Sequence, residues 1–244
     1  MPATNPSRLR IAAIVCAAGS GTRFGSDHGS KLDADLHGEP VLYRATRALS
    51  SRPEVVTTIV AGPADAQALA EFRRQHEAQL DILGAAICAG GRTERYETVQ
   101  AALRYTLEHY ERPDAVLVHD AARPCTSDAV VSAVINGLGN HAAVVPAVPV
   151  ADTLKRVEAG SDPRAVVETV NRQGIFSCQT PQGFRTELLE RTYAQSDLAS
   201  TDDAQLVERL GEPVVLVPGD PRNLKITRPH DLDIARAVWP TLSA

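Results

Sequence analysis

Short apolar runs alternate with longer amphipathic stretches over the first 150 residues, and this alternation limits the fold more than any other feature. The apolar runs, which predict buried strands, are residues 11–16, 55–60, 82–87, 115–118 and 143–148. The stretches between them with helical periodicity are residues 40–50, 63–79, 93–110 and 127–138. Strands that alternate with helices of this length are typical of βαβ units. We therefore predict an α/β fold with a doubly wound, mostly parallel, Rossmann-like sheet.

The alternation stops after residue 150. Two β-like pieces, residues 153–157 and 165–170, flank a turn, and they predict a protruding β-hairpin arm over about 150–176. An exposed hairpin needs a surface to cover it, so a partner subunit is expected. The remaining chain predicts helices at residues 185–195, 202–210 and 230–239 and a strand at 214–217.

Charge and composition exclude several classes of protein. The 30 acidic and 25 basic side chains give a formal net charge of −5, which argues against coating nucleic acid or an anionic membrane. No apolar run approaches the roughly 20 residues of a membrane helix, and the stretch at 11–18 is too short for a signal peptide. We predict a cytoplasmic protein with a polar tail at 1–10 and a single domain over 11–240. The four cysteines form no CxxC pair, and each is expected to be a small buried residue.

The basic residues are divided unevenly, into 22 arginines and three lysines. The lysines are Lys31, Lys155 and Lys225. An ammonium is compact and flexible, whereas a guanidinium is planar and rigid, so the two are not equivalent. The scarcity of lysine follows either from coding bias or from a need for the compact group at the three places where lysine occurs.

A glycine-rich segment, AAGSGTRFG at residues 17–25, directly follows the first predicted strand. Glycines after a strand let backbone N–H groups turn toward an anion. Phe24 stands where a dinucleotide-binding GxGxxG pattern would have its third glycine, and no GKS or GKT ending marks a P-loop. Arg23 and Lys31 add two cations, which suits a triphosphate whose charge grows at the leaving group. A plain glycine-rich connection is the alternative.

The segment HDAARP at residues 119–124 follows the fourth apolar run. Ligands of open α/β sheets bind off the carboxyl ends of the strands. At such a position Asp120 is a candidate Mg²⁺ ligand or a helix cap, and Arg123 is a candidate phosphate ligand. We expect His119 to be packed at the strand end rather than to act as a general base.

Together with segments further along the chain, these motifs make the sequence similar to the 2-C-methyl-D-erythritol 4-phosphate cytidylyltransferase family. The matching segments occur in the family's order and span nearly the whole chain. They are AAGSGTRFG with Lys31, GEPVL at 38–42, GG with Arg95 and Thr98-Val99, HDAARP, DTLKR at 152–156, Asn171-Arg172, QTPQ at 179–182, TDD at 201–203 and NLKITRPHDL at 223–232.

The resemblance implies a nucleotidyltransferase that transfers CMP from CTP to 2-C-methyl-D-erythritol 4-phosphate and releases pyrophosphate, in non-mevalonate isoprenoid biosynthesis. It also implies a divalent cation, Mg²⁺ or another, bound by Asp120. In the family the hairpin arm, which here carries Thr153 and Arg172, reaches into the neighbouring subunit. The resemblance therefore implies a homodimer with shared active sites.

The resemblance also implies a role for each matching residue. Arg23 and Lys31 match the pair that stabilises the pentacoordinate transition state, and Arg172 and Lys225 match the residues that position the methylerythritol phosphate. Arg123 and Thr153 would contact the same substrate. The residues that match the CTP pocket are Ala17, Ala18, Gly19, Gly91, Thr98 and Ala121.

Two segments depart from the family's pattern. After Lys31 the family commonly has Gln and an aromatic residue, whereas this chain has Leu-Asp-Ala-Asp at 32–35. Asp27, Asp33 and Asp35 would lie near the triphosphate, which is electrostatically unfavourable unless they point outward or cap a turn. The segment at 90–95 is one residue longer than the usual GGxxR, which leaves Arg92 and Thr93 as alternatives at the cytosine edge.

Three other functions compete with this interpretation. Ribitol-5-phosphate cytidylyltransferases share the glycine loop, HDAARP and TPQ, but DTLKR and the run at 171–174 favour methylerythritol phosphate. A dinucleotide-binding oxidoreductase would need the missing third glycine. A catalytically silent nucleotide-binding relative would not need Arg23, Lys31, Arg172 and Lys225 together.

Overall fold

The computed structural model describes residues 9–19, 24, 30–158, 160 and 164–242. The strands are β1 (Ile11–Cys16), β2 (Asp35–Leu36), β3 (Glu39–Pro40), β4 (Val55–Gly62), β5 (Ala85–Ala89), β6 (Ala115–Asp120), β7 (Ala143–Pro149), β8 (Leu154–Val157), β9 (Val166–Val170), β10 (Phe176–Cys178), β11 (Gln182–Arg185) and β12 (Val215–Pro218). The α-helices are α1 (Val41–Ser50), α2 (Ala66–Ile82), α3 (Arg95–His109), α4 (Asp128–Gly137), α5 (Thr186–Tyr193), α6 (Asp203–Arg209) and α7 (Pro229–Val238).

The main sheet is mostly parallel, as predicted. Strand β1 lies between β4 and β6 and runs parallel to both, and β5 extends the sheet beyond β4. Strand β12 runs parallel to β7. Strand β11 lies antiparallel between β6 and β7, and β10 pairs antiparallel with β7. These two antiparallel strands were not predicted, because both are short and β11 follows the proline of the TPQ motif.

Helices cover both faces of the sheet, which confirms the doubly wound fold. Side chains of a strand point alternately to its two faces. On β1, Ile11, Ala13 and Val15 join a core with buried residues of α1, α2, α4 and α7, whereas Ile14 joins a second core with α3, α5 and α6. Because β1 and β6 are buried on both faces, the positions of their carboxyl ends at the edge of the sheet are fixed.

The boundary between α2 and β5 differs from the prediction. The helix begins at Ala66, where the Asp65 side chain caps it by accepting the Ala68 N–H. It extends to Ile82, which we had predicted to begin the strand and which is 77% exposed. Gly84 then takes a positive φ of 65° that reverses the chain, so the strand begins at Ala85.

The predicted hairpin arm is present as β8 and β9, which pair antiparallel in a two-stranded sheet of their own. Val157, Val166 and Val167 on these strands are exposed apolar side chains. In the described part of the chain, no helix has both the length and the apolar character needed to cross a bilayer.

Candidate active site

A cleft of about 360 Å³ opens at the carboxyl ends of β1 and β6, the edge where parallel sheets bind ligands. Nine of the residues predicted for the site line it. They are Ala17, Ala18, Gly19, Lys31, Gly91, Thr98, Asp120, Ala121 and Lys225. The backbone beneath is tied to the sheet, because Ala17 N–H donates to Ala61 O (2.8 Å) and Ala121 N–H to Cys16 O (3.2 Å).

One wall of the cleft is the loop before α3, which can pack there only with glycine at position 91. The backbone N–H of Gly91 donates to Thr98 Oγ1 (3.0 Å). A Cβ on Gly91 would lie 2.3 Å from Glu97 Cβ and 2.7 Å from Thr98 N, so a larger residue would push the loop off the helix. The Glu97 carboxylate accepts the N–H groups of Arg92 (3.0 Å) and Thr93 (2.9 Å). Both alternatives for the cytosine edge therefore lie in the cleft wall.

Asp120, at the last position of β6, is surrounded by cations. Its Oδ2 lies 3.0 Å from Lys225 Nζ and 3.4 Å from Arg123 Nε, and its Oδ1 lies 3.3 Å from Arg95 Nε. Burial alone would raise its pKa, but the positive charges of Arg95, Lys225 and Arg123 outweigh this and hold the pKa well below its usual value. Asp120 is therefore an ionised carboxylate at neutral pH.

A second carboxylate lies behind the first and was not predicted. Asp203, at the start of α6, is 1% exposed and pairs with Arg95 Nη1. The Tyr193 hydroxyl donates to its other oxygen. Burial alone would lower the pKa of Arg95, yet Asp203, Cys16 and Asp120 raise it well above its usual value. Arg95 thus bridges two carboxylates and links the cleft to α5 and α6.

His119 is packed at the strand end, as expected. It is fully buried, and its ring donates from Nε2 to Arg123 O (3.1 Å). The Thr180 hydroxyl accepts the Asp120 N–H (3.1 Å) and donates to His119 Nδ1 (3.0 Å). Burial lowers the pKa of His119 to about 4. The imidazole is therefore neutral and holds the 119–123 loop in place.

The segment that carries Lys225 is fixed against this loop. Ile226 N–H donates to Ala122 O (2.8 Å), and Arg123 Nη1 donates to Asn223 O (2.8 Å). Asn223 is fully buried and donates to Thr180 O (2.9 Å). The backbone on both sides of Lys225 is thereby held, which aims its flexible side chain at Asp120.

Lys31 reaches the same region from the opposite side of the cleft. Its Nζ donates to Ile226 O (3.3 Å). Asp33 and Asp35, which follow it in the chain, do not line the cleft, and Asp35 caps a turn by accepting the Gly38 N–H (3.0 Å). Neither carboxylate is therefore part of the cleft wall. Arg23 and Asp27 lie outside the described residues.

A smaller cleft of about 250 Å³ adjoins the first. The two share Arg95, Asp120 and Lys225, and Arg123 lines the smaller one. Thr180, Gln182 and Thr201 add hydroxyl and amide groups there. None of these three had been singled out from the sequence, although each lies in or beside the TPQ and TDD motifs that did signal the site.

Thr153 and Arg172 lie apart from both clefts. They are exposed residues of the arm, one just before β8 and the other just after β9, and neither is among the residues lining the two clefts. Within one described chain the structure therefore gathers Lys31, Asp120, Arg123 and Lys225 but not these two.

Asp120 is the side chain best placed for a divalent cation. In the part of the chain that the structure describes, no three His, Cys, Asp or Glu side chains are grouped to hold a metal ion. In nucleotide sites Mg²⁺ keeps several waters and binds one or two carboxylates together with substrate phosphates. Asp120, an ionised carboxylate in the cleft wall, would be the residue that holds such a cation together with substrate phosphates.

One cysteine lines each of the two clefts, Cys16 the larger and Cys178 the smaller. Cys88 and Cys125 are buried, as expected, whereas the expectation is wrong for Cys178, which is exposed on β10. Cys16 lines the cleft, but burial raises the pKa of its thiol to about 12. A protonated thiol is a poor nucleophile.

A mostly parallel sheet with a cationic, glycine-walled cleft at its carboxyl edge defines an α/β protein of the nucleotidyltransferase class. Residues 11–240 match the family model described as 2-C-methyl-D-erythritol 4-phosphate cytidylyltransferase. The chain belongs to this family.

Known relatives resemble the chain over nearly its whole length. A 2-C-methyl-D-erythritol 4-phosphate cytidylyltransferase from Frankia casuarinae is 43% identical, with 98% of this chain and 83% of that protein covered. One from Salinibacter ruber is 40% identical, with 95% and 93% covered. The crystal structure of the protein of that name from Thermus thermophilus is 32% identical, with a TM-score of 0.74 and 95% and 100% of the two chains covered.

Proposed function

We propose that this chain transfers the cytidylyl group of CTP to 2-C-methyl-D-erythritol 4-phosphate. A phosphate oxygen of the sugar phosphate attacks the α-phosphorus of CTP. The bond from that phosphorus to the oxygen bridging the β-phosphorus breaks, and pyrophosphate leaves. The observation that carries the proposal is the convergence of Lys31, Lys225 and Asp120 in one cleft of a chain that belongs to this family.

The chemistry needs positioning and charge neutralisation rather than a strong base. A phosphate monoester oxygen is anionic at neutral pH, and phosphoryl-type transfer asks little covalent chemistry of the protein. The neutral, buried His119 agrees with this, because no general base is required of it. Lys31, with Arg23, would stabilise the charge that develops on the triphosphate. Bound to Asp120 and the phosphates, Mg²⁺ would neutralise part of the same charge.

Two adjoining clefts suit two substrates. The larger one, walled by the Ala17–Gly19 backbone, Gly91, Thr98 and Ala121, would hold CTP. The smaller one, with Arg123 and the shared Lys225, would hold the sugar phosphate. The two bound molecules would then meet beside Lys225, which would orient the attacking phosphate.

We further propose a cytoplasmic homodimer of single-domain subunits, each spanning residues 11–240 after a tail at 1–10, with the arm at about 150–176. The exposed positions of Thr153 and Arg172 support this, because both would have to act on a site other than their own. The exposed Val166 and Val167 give the arm an apolar surface for the neighbouring subunit.

The test is pyrophosphate release from CTP and Mg²⁺ with and without 2-C-methyl-D-erythritol 4-phosphate. We expect release only with the sugar phosphate, and less with ribitol 5-phosphate. Folded protein that releases no pyrophosphate would refute the transfer. Preference for ribitol 5-phosphate would replace the proposed acceptor, and loss of activity on chelation would support the divalent cation.

A further inference from the structure

The turn that carries Lys31 is held against α2 by a contact between two side chains that lie outside the cleft. We infer that Asp33 and His76 form a positioning pair that fixes Lys31 for catalysis. The inference rests on the proposed role of Lys31 in nucleotidyl transfer. Asp33 belongs to the Leu-Asp-Ala-Asp segment at 32–35, which departs from the family's pattern.

The two atoms that meet are shielded from solvent, although the Asp33 side chain as a whole is 32% exposed. His76 Nε2 lies 3.1 Å from Asp33 Oδ1, and the His76 side chain is 6% exposed. Burial lowers the pKa of His76, so its ring is neutral at neutral pH and the contact is a polar one rather than an ion pair. Oδ1 is shielded from solvent and makes no hydrogen bond of good geometry among the described residues. A carboxylate oxygen removed from water is unfavourable unless a polar group opposes it. His76 supplies that group, and the turn is therefore favoured in this one place.

Other contacts make the turn a rigid unit. Leu32 N–H donates to Ser30 Oγ (3.2 Å) and Asp33 N–H to Ser30 O (3.1 Å). On the other side Leu42 N–H, at the start of α1, donates to Leu32 O (3.0 Å). Since Lys31 lies between the residues that make these bonds, a shift of Asp33 moves Lys31 with it.

The face of α2 that receives the turn is apolar except for His76. The Phe72 and His76 rings pack with their centroids 4.5 Å apart, and Leu32 belongs to the same buried core as Phe72. Leu32 is thus buried in the core to which α2 contributes, and Asp33 contacts the helix through His76. Leu32 supplies apolar burial, and Asp33 supplies the polar contact that selects one arrangement.

Asp35 offers a matched comparison. Like Asp33, it is an acidic residue within four positions of Lys31, but it is exposed and its carboxylate accepts the Gly38 N–H. If Asp33 acted only through its negative charge near the triphosphate, neutralising either residue would have a similar effect. If it acts through His76, only changes at 33 and 76 matter.

The experiment measures kcat and the KM for CTP by pyrophosphate release for wild type, Asp33→Ala, His76→Leu, His76→Gln and Asp35→Asn, with melting temperatures. We expect Asp33→Ala and His76→Leu to lower kcat about 10- to 100-fold, the range that a misplacement of about 1 Å causes, with little change in KM. The double variant, Asp33→Ala with His76→Leu, should have a kcat no lower than that of the less active single variant. Gln at 76 keeps an amide N–H at about the reach of Nε2 and should restore most of kcat, and Asp35→Asn should match wild type.

Wild-type kcat in Asp33→Ala, or an equal loss in Asp35→Asn, would overturn the inference. Multiplicative losses in the double variant would overturn it as well, because the two residues would then act independently. A loss in His76→Leu that follows its melting temperature and is not restored by His76→Gln would make His76 merely structural. Inactive wild-type protein would instead refute the proposed function itself.

Discussion

Replacement of Lys225 by alanine tests whether the positive charge of Lys225 serves catalysis or the stability of the fold. Lys225 Nζ lies 3.0 Å from Asp120 Oδ2, and the lysine side chain is 37% exposed. At an effective dielectric constant of about 20, two charges at that distance attract by roughly 5 kcal/mol. The Asp120 side chain is only 10% exposed, but solvent screening at the lysine end and the loss of lysine side-chain entropy reduce the net value to about 1 kcal/mol or less.

Asp120 also keeps two other partners in the variant, because Arg95 and Arg123 still contact it. We therefore expect Lys225→Ala to lower the free energy of unfolding by no more than about 1 kcal/mol. For a domain of this size that lowers the melting temperature by roughly 2–4 °C. Differential scanning fluorimetry without ligands measures this change in melting temperature.

The expected effect on turnover is much larger. Removing one preorganised group aimed at transition-state charge typically lowers kcat about 10²- to 10³-fold. Pyrophosphate release with saturating substrates measures this loss. Arg191→Ala is the matched control, since it removes an exposed cation paired with Glu212 (2.7 Å) that does not line the cleft. Lys225→Arg keeps the charge but places a planar group beside Arg95 and Arg123, so it should recover little activity.

Two results would refute this reasoning. A loss of turnover below about tenfold would mean that Lys225 is not directed at transition-state charge, since such groups contribute about 10²- to 10³-fold. A melting temperature lowered by more than roughly 8 °C would mean that Lys225 mainly neutralises Asp120 in the folded protein, because 1 kcal/mol corresponds to only about 2–4 °C.

Three further predictions concern the cleft. Arg95→Met should lower the free energy of unfolding by about 3 kcal/mol, measured by urea titration, because it leaves the buried Asp203 without its cation; an unchanged value would contradict this. Gly91→Ala should raise the KM for CTP, because its Cβ would strike Glu97; an unchanged KM would remove Gly91 from the CTP wall. Since the folded-state pKa of Asp120 is lowered, its contribution to stability is present above the unfolded pKa of roughly 3.9 and is lost as the pH falls further. Urea titrations between pH 5 and 3 should show a steeper loss in wild type than in Asp120→Asn, and equal slopes would contradict it.

The fold was predictable where periodicity is strong and local. Residues 11–16 are apolar throughout, and β1 has those bounds and is buried on both faces. The prediction was wrong at Ile82, because an apolar residue at an exposed helix end looks the same in sequence as the first residue of a strand. Strands β10 and β11 were missed because they depend on pairing with β7 and β6 rather than on their own residues.

The side chains that meet in the cleft were predictable from the sequence, but the residues that support them were not. Lys31, Asp120 and Lys225 lie in motifs that the sequence displays, and the structure brings them to one cleft. The pairing of Arg95 with Asp203 joins residues 108 positions apart. Periodicity describes neighbours along the chain, so it contains no signal for such a contact. The TDD motif at 201–203 marked Asp203 as part of the pattern without indicating its partner.

The scarcity of lysine was the compositional feature that did relate to the site. Two of the three lysines, Lys31 and Lys225, line the same cleft, and Lys31 Nζ donates to the carbonyl oxygen of Ile226, next to Lys225. Lys155 instead lies on the arm, where it donates to Thr169 Oγ1 (2.6 Å). The net charge of −5 gave no hint of this, because a total averages over local fields. The guanidinium groups of Arg95 and Arg123 already contact Asp120, so a further cation at that carboxylate must be compact, and among charged side chains only the ammonium of lysine is.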